Sequence, residues 1–399
     1  MRIEAVDYYD LAMAYIDQYA SANAVNDDEY FGVRTANKTA YKNQIETAFS
    51  ANHAGLTATI YENTIKPGCP GMIQLPETGY YRMKNVNEEG YYLGYDGTED
   101  SDGSTCLRGM QDNASAKTIV HFVKDGDNNS YQFSVEGTYI AAVSSGTKRT
   151  PSETAANFQS EYIAPGVASF SATLSGNTYL HCSASQQYAI VGWETGKNSP
   201  ASKWTIEKIT ALDLTLNAGG DGSYYATLCL PFDVTLTGCS AYTLSLNGAK
   251  TALTLSEAMT TVPAGTPVLL RGTSAKATAN IAASAATSAP LTTTSLTGTY
   301  TDLTVTPETD LFLGKANDKV GFYKWNGTTL KANRAYLPAS MLEGTAGVKG
   351  FAIQFDTVTA IDALNQQRMA NGQVFNLAGQ RVSKPAKGIY VVNGKKVAI

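Results

Sequence analysis

The chain has 399 residues, room for two to four domains at about 100–200 residues each. Only 16% of residues are charged, the net charge is −5 and Tyr is abundant at 24. That balance excludes the basic footprint of a nucleic-acid binder and suits surfaces built of strands and loops; no apolar run approaches the ~20 residues of a membrane span.

The charge is uneven. Residues 1–62 hold nine acids and four bases, whereas after Asp362 there are six bases and no acid. That basic tail is either a contact for an anionic surface or a solvated small domain. The start, "MRIEAVDYYDLAMAYIDQYA", has acids where a signal peptide has bases, and no apolar h-region. It implies either a cytoplasmic protein or a native N-terminus lying further upstream. The five cysteines are odd in number and include no CxxC, so neither a full disulfide framework nor a zinc ribbon is supported. Cys229 and Cys239 are placed to pair across neighbouring strands or to stay as two buried thiols.

In chain order, Ile3, Val6, Met13, Ile16 and Tyr19 recur at helical steps and predict a helix over 3–21. A second helix is expected from about Asn37 to Asn52, capped by Thr35 or Asn37. "KPGCPG" (66–71) is expected to break the chain. Two helices bury little area alone, so this segment (1–66) should pack on something else, and it reads as the end of an upstream domain.

From Thr78 the texture is that of strands. "SAKTIVHFV" (115–123), "AANFQSEYI" (155–163) and "ASKWTIEKI" (201–209) repeat one pattern, a small polar lead-in and then apolar residues on a two-residue beat. Their companions are the pairs Tyr92–Leu93, Tyr139–Ile140 and Tyr179–Leu180. Each follows an earlier strand, "YYRMKNV", "YQFSV" or "FSATL". Equivalent positions lie 40 to 47 residues apart. Three units of that period, none able to bury its apolar face alone, fit a β-trefoil over residues 76–210 better than a propeller, which needs more blades.

Residues 211–355 are again rich in strands: "YYATLCLPFDVTLT", "TPVLLRG", "DLFLG" and "VGFYKWNG" are separated by Gly, Asn and Pro turns. Residues 273–295 lack aromatics and read as a linker or as weak strands. After a spacer at 357–367, the tail 368–399 reads strand, turn, strand, Asn-Gly turn, strand. The fold class is therefore mainly β and multidomain: a short helical segment, a β-trefoil, an all-β sandwich-like module and a small C-terminal β tail.

The trefoil stretch resembles the ricin-type lectin superfamily over about a third of the chain. The likeness rests on the threefold repeat and on the phrase ending each lobe, Gln-x-Trp in the family. Here "SKW" (202–204) keeps the Trp, and the other lobes carry Thr118 and Phe158. The family's sugar site uses an Asp just after the Tyr-Leu pair, a stacking aromatic further on, and an Asn or Gln. The Asp position holds Gly94, Ala141 and His181. The aromatic position, counted eleven residues before the Trp, holds Leu107, Thr147 and Trp193. The resemblance thus implies one carbohydrate site, in the third lobe: Trp193 as platform, His181 in place of the Asp, and Glu194 and Asn198 from "GWETGKNS". An indole covers a sugar's C–H face while carboxylate, amide or imidazole groups take its hydroxyls.

The tail resembles the C-terminal sorting domains of the type IX secretion system of Gram-negative bacteria, through "VFNLAGQRV" (374–382), "KGIYVV" (387–392) and "NGKKV" (393–397). The resemblance implies export, an extracellular or outer-membrane-surface location, and the secretion machinery as a partner. Such a tail works with a signal peptide, which implies that this chain is part of a longer secreted protein. Residues 211–355 also look like β modules that precede such tails in polysaccharide-degrading enzymes.

No HExxH, GxSxG, P-loop or CxxC signature occurs. His53, His121 and His181 lack metal-ligand spacing. "DGTEDSDGS" (96–104) places Asp96, Asp100 and Asp102 in a partial calcium loop, without the full DxDxDG core and following Glu; a solvated turn is the alternative. No cofactor is expected otherwise. The reading is a non-catalytic glycan-binding protein. The alternatives are the ancillary end of a larger secreted glycoside hydrolase, and a structural surface protein that binds no sugar.

Overall fold

The computed structural model describes residues 6–352 apart from 101–102, 127–128, 173–177, 196–197, 285–286, 306–307 and 344–347. Beyond 352 it describes 353, 355, 374–376, 379, 380, 382, 389–392 and 395–398. Ile3, Asp102, Lys197 and the spacer 357–367 therefore lie outside the described residues. The chain divides into two compact units, 1–352 and 353–399. No helix among the described residues is long and apolar enough to cross a membrane.

Helix α1 spans Tyr8–Ala22. Asp7 caps it, accepting from the backbone N–H of Tyr9 at 2.9 Å, and Ala12, Ile16 and Ala20 form its buried stripe at four-residue steps. Helix α2 spans Thr35–Phe49. Neither Thr35 nor Asn37 caps it: Arg34 occupies the cap position and makes no side-chain capping bond. The Asn37 amide instead donates to the carbonyl of Met72 at 3.0 Å. Nor does "KPGCPG" break the chain. Short helical turns continue through Cys69–Met72, because Pro67 and Pro70 sit at first-turn positions where a missing N–H costs nothing.

The helical part has its own core, centred on Ile16, Ile45, Tyr61, Ile65 and Cys69. It also lends two aromatics to the next core. Phe31 is fully buried with its ring 5.9 Å from Phe170, and Tyr30 meets Tyr81 edge-on at 5.4 Å. The Phe31 backbone is held from both sides. Its N–H donates to Gln74 and its carbonyl accepts from Gly166.

The trefoil contributes twelve strands: β1 Gly79–Asn85, β2 Tyr92–Gly94, β3 Arg108–Met110, β4 Val120–Lys124, β5 Ser130–Val135, β6 Thr138–Ile140, β7 Pro151–Ser152, β8 Asn157–Ala164, β9 Val167–Ala172, β10 Thr178–Ser183, β11 Ala189–Trp193 and β12 Trp204–Lys208. Six of them close a ring of antiparallel pairs, β1–β4–β5–β8–β9–β12 and back to β1. The other six form three hairpins, β2–β3, β6–β7 and β10–β11. A closed six-stranded ring with three hairpins is a β-trefoil. The three tyrosine pairs occupy equivalent places, and Leu93, Ile140 and Leu180 all point into the core with no exposure. So do Thr118, Phe158 and Trp204 at the lobe-ending positions. Phe122, Phe133 and Phe170 fill the centre.

The module after residue 210 opens with two four-stranded antiparallel sheets. One joins β13 (Ala211–Thr215), β16 (Val234–Thr237), β18 (Thr261–Val262) and β20 (Lys276–Ile281); the other joins β14 (Asn217–Ala218), β15 (Tyr224–Leu228), β17 (Cys239–Tyr242) and β19 (Val268–Gly272). A core of Leu216, Ala226, Leu236, Ala241, Leu270 and Ala279 lies between them. The small side chains of 273–295 thus supply β20, which lies between β13 and β16, rather than a linker alone. A hairpin of β21 (Leu311–Ala316) and β22 (Lys319–Lys324) follows, with β23 (Gly350–Ala352) pairing on β22. Tyr80 of β1 joins the two parts, stacked on His121 at 4.3 Å and against Phe232 at 5.0 Å.

In the second unit, β24 (Val374–Phe375), β25 (Ile389–Val392) and β26 (Lys395–Ala398) form an antiparallel sheet in chain order. The expected Asn393–Gly394 turn lies outside the described residues.

Candidate functional site

Hairpin β10–β11 alternates its side chains. Leu180 and Cys182 go to the core, while Tyr179 and His181 share the other face with their cross-strand partners Trp193 and Val191. Val191 turns under to meet Cys106 and Ala189 in a small buried cluster. Trp193, at the strand end, stays 39% exposed.

Two of the expected site residues come together. The imidazole of His181 stacks on the indole of Trp193, with centroids 5.1 Å apart and planes 24° from parallel. On its other side His181 Nδ1 shares a hydrogen bond with the Ser202 hydroxyl at 2.9 Å. The two departures from the lectin pattern, His at the Asp position and Ser at the Gln position, are therefore bonded to each other. Ser202 is fully buried, and its carbonyl accepts from the Ser169 hydroxyl at 2.9 Å, so the ring is held from below. Burial lowers the His181 pKa from its ordinary value, with a smaller opposing pull from Glu88, which favours the neutral imidazole. Glu194 and Asn198 are both exposed in the following loop, and no hydrogen bond among the described residues ties either to Trp193 or His181.

The register corrects one count. Trp193 pairs with Tyr179, and at the same place Met110 pairs with Tyr92 and Ser152 with Tyr139. The equivalents of Trp193 are therefore Met110 and Ser152, not Leu107 and Thr147. Counting eleven residues back from the lobe end fails because the loops before Thr118, Phe158 and Trp204 differ in length. The third lobe alone still carries an aromatic there.

The platform is backed by the second lobe. Gly192 exchanges hydrogen bonds with Thr147 and Gly146, and a Cβ at Gly192 would come within 2.6 Å of the Ser144 carbonyl oxygen. Only glycine permits that approach. Arg149 is fully buried in the same wall. It donates from Nη1 to the Ala141 carbonyl at 2.7 Å and from Nη2 to the Thr178 carbonyl at 3.0 Å, fixing the start of β10. Sequence reasoning missed Arg149, because no motif or repeat position marks it.

The acidic loop is also tied into this wall. Asp100 meets Arg108 and Lys148, each at 2.7 Å, and these two bonds, the Lys148 one foremost, hold its carboxyl well below the usual carboxylate range. Asp96 caps its own turn by accepting from the Thr98 N–H. All five cysteines are free and buried, Cys229 and Cys239 included.

No family model matches the chain, and no curated protein matches it. Solved structures similar over about a third of it include the PSL1a-E64 complex (14% identity, TM-score 0.28, covering 36% of this chain and 51% of that one). Another is the Polyporus squamosus lectin bound to a human-type influenza-binding epitope (16%, TM-score 0.29, 37% and 53%). A third is the Macrolepiota procera ricin B-like lectin in complex with lactose (13%, TM-score 0.28, 34% and 99%). The chain thus spans about half the length of the first two. With these scores below 0.5, the trefoil assignment rests on the strand ring itself.

Proposed function

We propose that this chain is a non-catalytic glycan-binding protein whose trefoil presents one site, in its third lobe. The observation that carries this is Trp193. A large indole stands exposed at the end of a hairpin, propped by an imidazole that is itself bonded to a buried hydroxyl. A fixed apolar plane beside a ring nitrogen suits a sugar, which offers an apolar face and a rim of hydroxyls. Glu194 and Asn198, exposed in the loop that follows Trp193, would complete the rim.

The tail supplies the second half of the reading: a sorting segment that hands the chain to the secretion machinery, with an extracellular or outer-membrane-surface destination. This half rests on the likeness of "VFNLAGQRV", "KGIYVV" and "NGKKV" to such segments.

A glycan array probed with the full chain, followed by calorimetry on each hit, tests the first half. The expected result is a hit whose affinity disappears in Trp193→Ala while the variant keeps the wild-type unfolding curve. A hit bound equally by Trp193→Ala would remove the site from the third lobe. For the second half, removal of 368–399 should abolish export in a type IX-competent host; unchanged export would contradict it.

A further inference from the structure

A second aromatic stands exposed on the other β module. Trp325 follows β22 at the mouth of a groove of about 550 Å³, within the usual range for small-ligand sites. The indole is 39% exposed. It meets Phe312 edge-on at 5.3 Å, and Phe312 in turn stacks on Tyr336 at 5.7 Å. From behind, the backbone of Gly327 lies so close that any Cβ there would overlap the benzo ring. The plane is thus fixed, with a free surface toward solvent.

The groove is cationic. Lys315, Lys324, Lys331 and Arg334 line it, and no Asp or Glu is among the described lining residues. Lys315 pairs with Asp318 at 3.1 Å and Lys331 with Asp302 at 2.9 Å, both outside the lining. Lys324 and Arg334 have no ion pair among the described residues. Arg334 donates from Nη1 to the Thr227 carbonyl at 3.1 Å, and both residues line the groove. Asn217 and Thr329 add neutral polar groups.

We propose that this groove binds an anionic saccharide, a sugar ring stacking on Trp325 while its carboxylate or sulfate meets Lys324 and Arg334. A planar guanidinium donates to either anion through a fork of two N–H groups. With four cations and no carboxylate among the described lining residues, the charge of the groove favours an anion. A neutral sugar would leave both cations without a counter-charge and gain only the stacking. This site is separate from the trefoil platform and goes beyond the reading given above.

The test is calorimetry of the full chain with three probes: trigalacturonate, which carries carboxylates; neocarrabiose sulfate, which carries a sulfate; and neutral maltotriose. Binding of either anionic probe, stronger than maltotriose and weakened by added salt, is the expected result. Which of the two binds identifies the anion. Lys324→Gln, an exposed and conservative change, should cost about tenfold or more in affinity, the loss of one charge-assisted hydrogen bond. Trp325→Ala should cost at least as much, and Trp193→Ala should change nothing, which separates this site from the trefoil one. Silence from both anionic probes would overturn the proposal. So would maltotriose binding as tightly as they do, or an anion affinity that Lys324→Gln leaves at the wild-type value.

Discussion

At the scale of single residues, the three tryptophans divide by burial. Trp204 is fully enclosed and its Nε1–H donates to the Leu180 carbonyl at 3.0 Å, directly beneath the site hairpin. Trp204→Ala should therefore cost about 3–5 kcal/mol, read as a shift in denaturant midpoint; a change under about 1 kcal/mol, small for a fully buried aromatic, would contradict its place in the core. Trp193→Ala should leave that midpoint where it is. The distinction was legible in the sequence, because the lobe-ending position and the hairpin position play different parts in the repeat. Glu136 was not legible. It lies in the turn between β5 and β6, buried, with Oε2 accepting from Asn333 Nδ2 at 2.9 Å and Oε1 without a partner among the described residues. Burial pushes its carboxyl up to about 8. A carboxyl raised in the folded state keeps its proton while the unfolded chain loses it, so this group's contribution to stability falls as pH rises from the ordinary Glu value to about 8. Glu136→Gln should thus melt several degrees above wild type at pH 8.5 and converge with it at pH 4. Parallel melting curves across that range would count against the buried, protonated carboxyl.

At the scale of elements, the two-residue beat of the repeat located the ring strands well, since burial on one face alone dictates that alternation. It located the hairpins less well. Loops of unequal length separate them from the ring, so a fixed offset put Leu107 and Thr147 where the register puts Met110 and Ser152. The cap of α2 and the run through 66–72 were misread for a related reason. Local turn chemistry names what a residue can do, and the tertiary partner decides: the Met72 carbonyl takes Asn37. The connection between the helical segment and the trefoil was not legible either. Tyr30 and Phe31 lie in an irregular stretch, and Phe31 adopts φ 56°, an unusual backbone for a bulky residue. Such a conformation persists where surrounding contacts hold it. Phe31→Ala should lose about 3–5 kcal/mol and speed proteolysis of the trefoil, a coupling that limited proteolysis reads out. A trefoil cleaved at the wild-type rate would mean that the aromatic plug does not support it.

At the scale of the whole molecule, composition and the threefold period were enough for a mainly β chain with a trefoil, because three identical needs for burial admit few closed solutions. The module after residue 210 has no repeat to count, and only its class could be read. Its small-residue strand β20, with no aromatic to mark it, appears only once paired with β13 and β16. The central claim is that the trefoil carries a sugar platform at Trp193. Since the chain has only three tryptophans, its indole N–H resonances form a three-peak spectrum. Labelling those indoles and titrating a neutral glycan taken from the array tests the claim most directly. The expected result is that the Trp193 peak moves with the ligand while those of Trp204 and Trp325 stay in place. A bound glycan that leaves the Trp193 peak still, or that moves Trp325 alone, would contradict it.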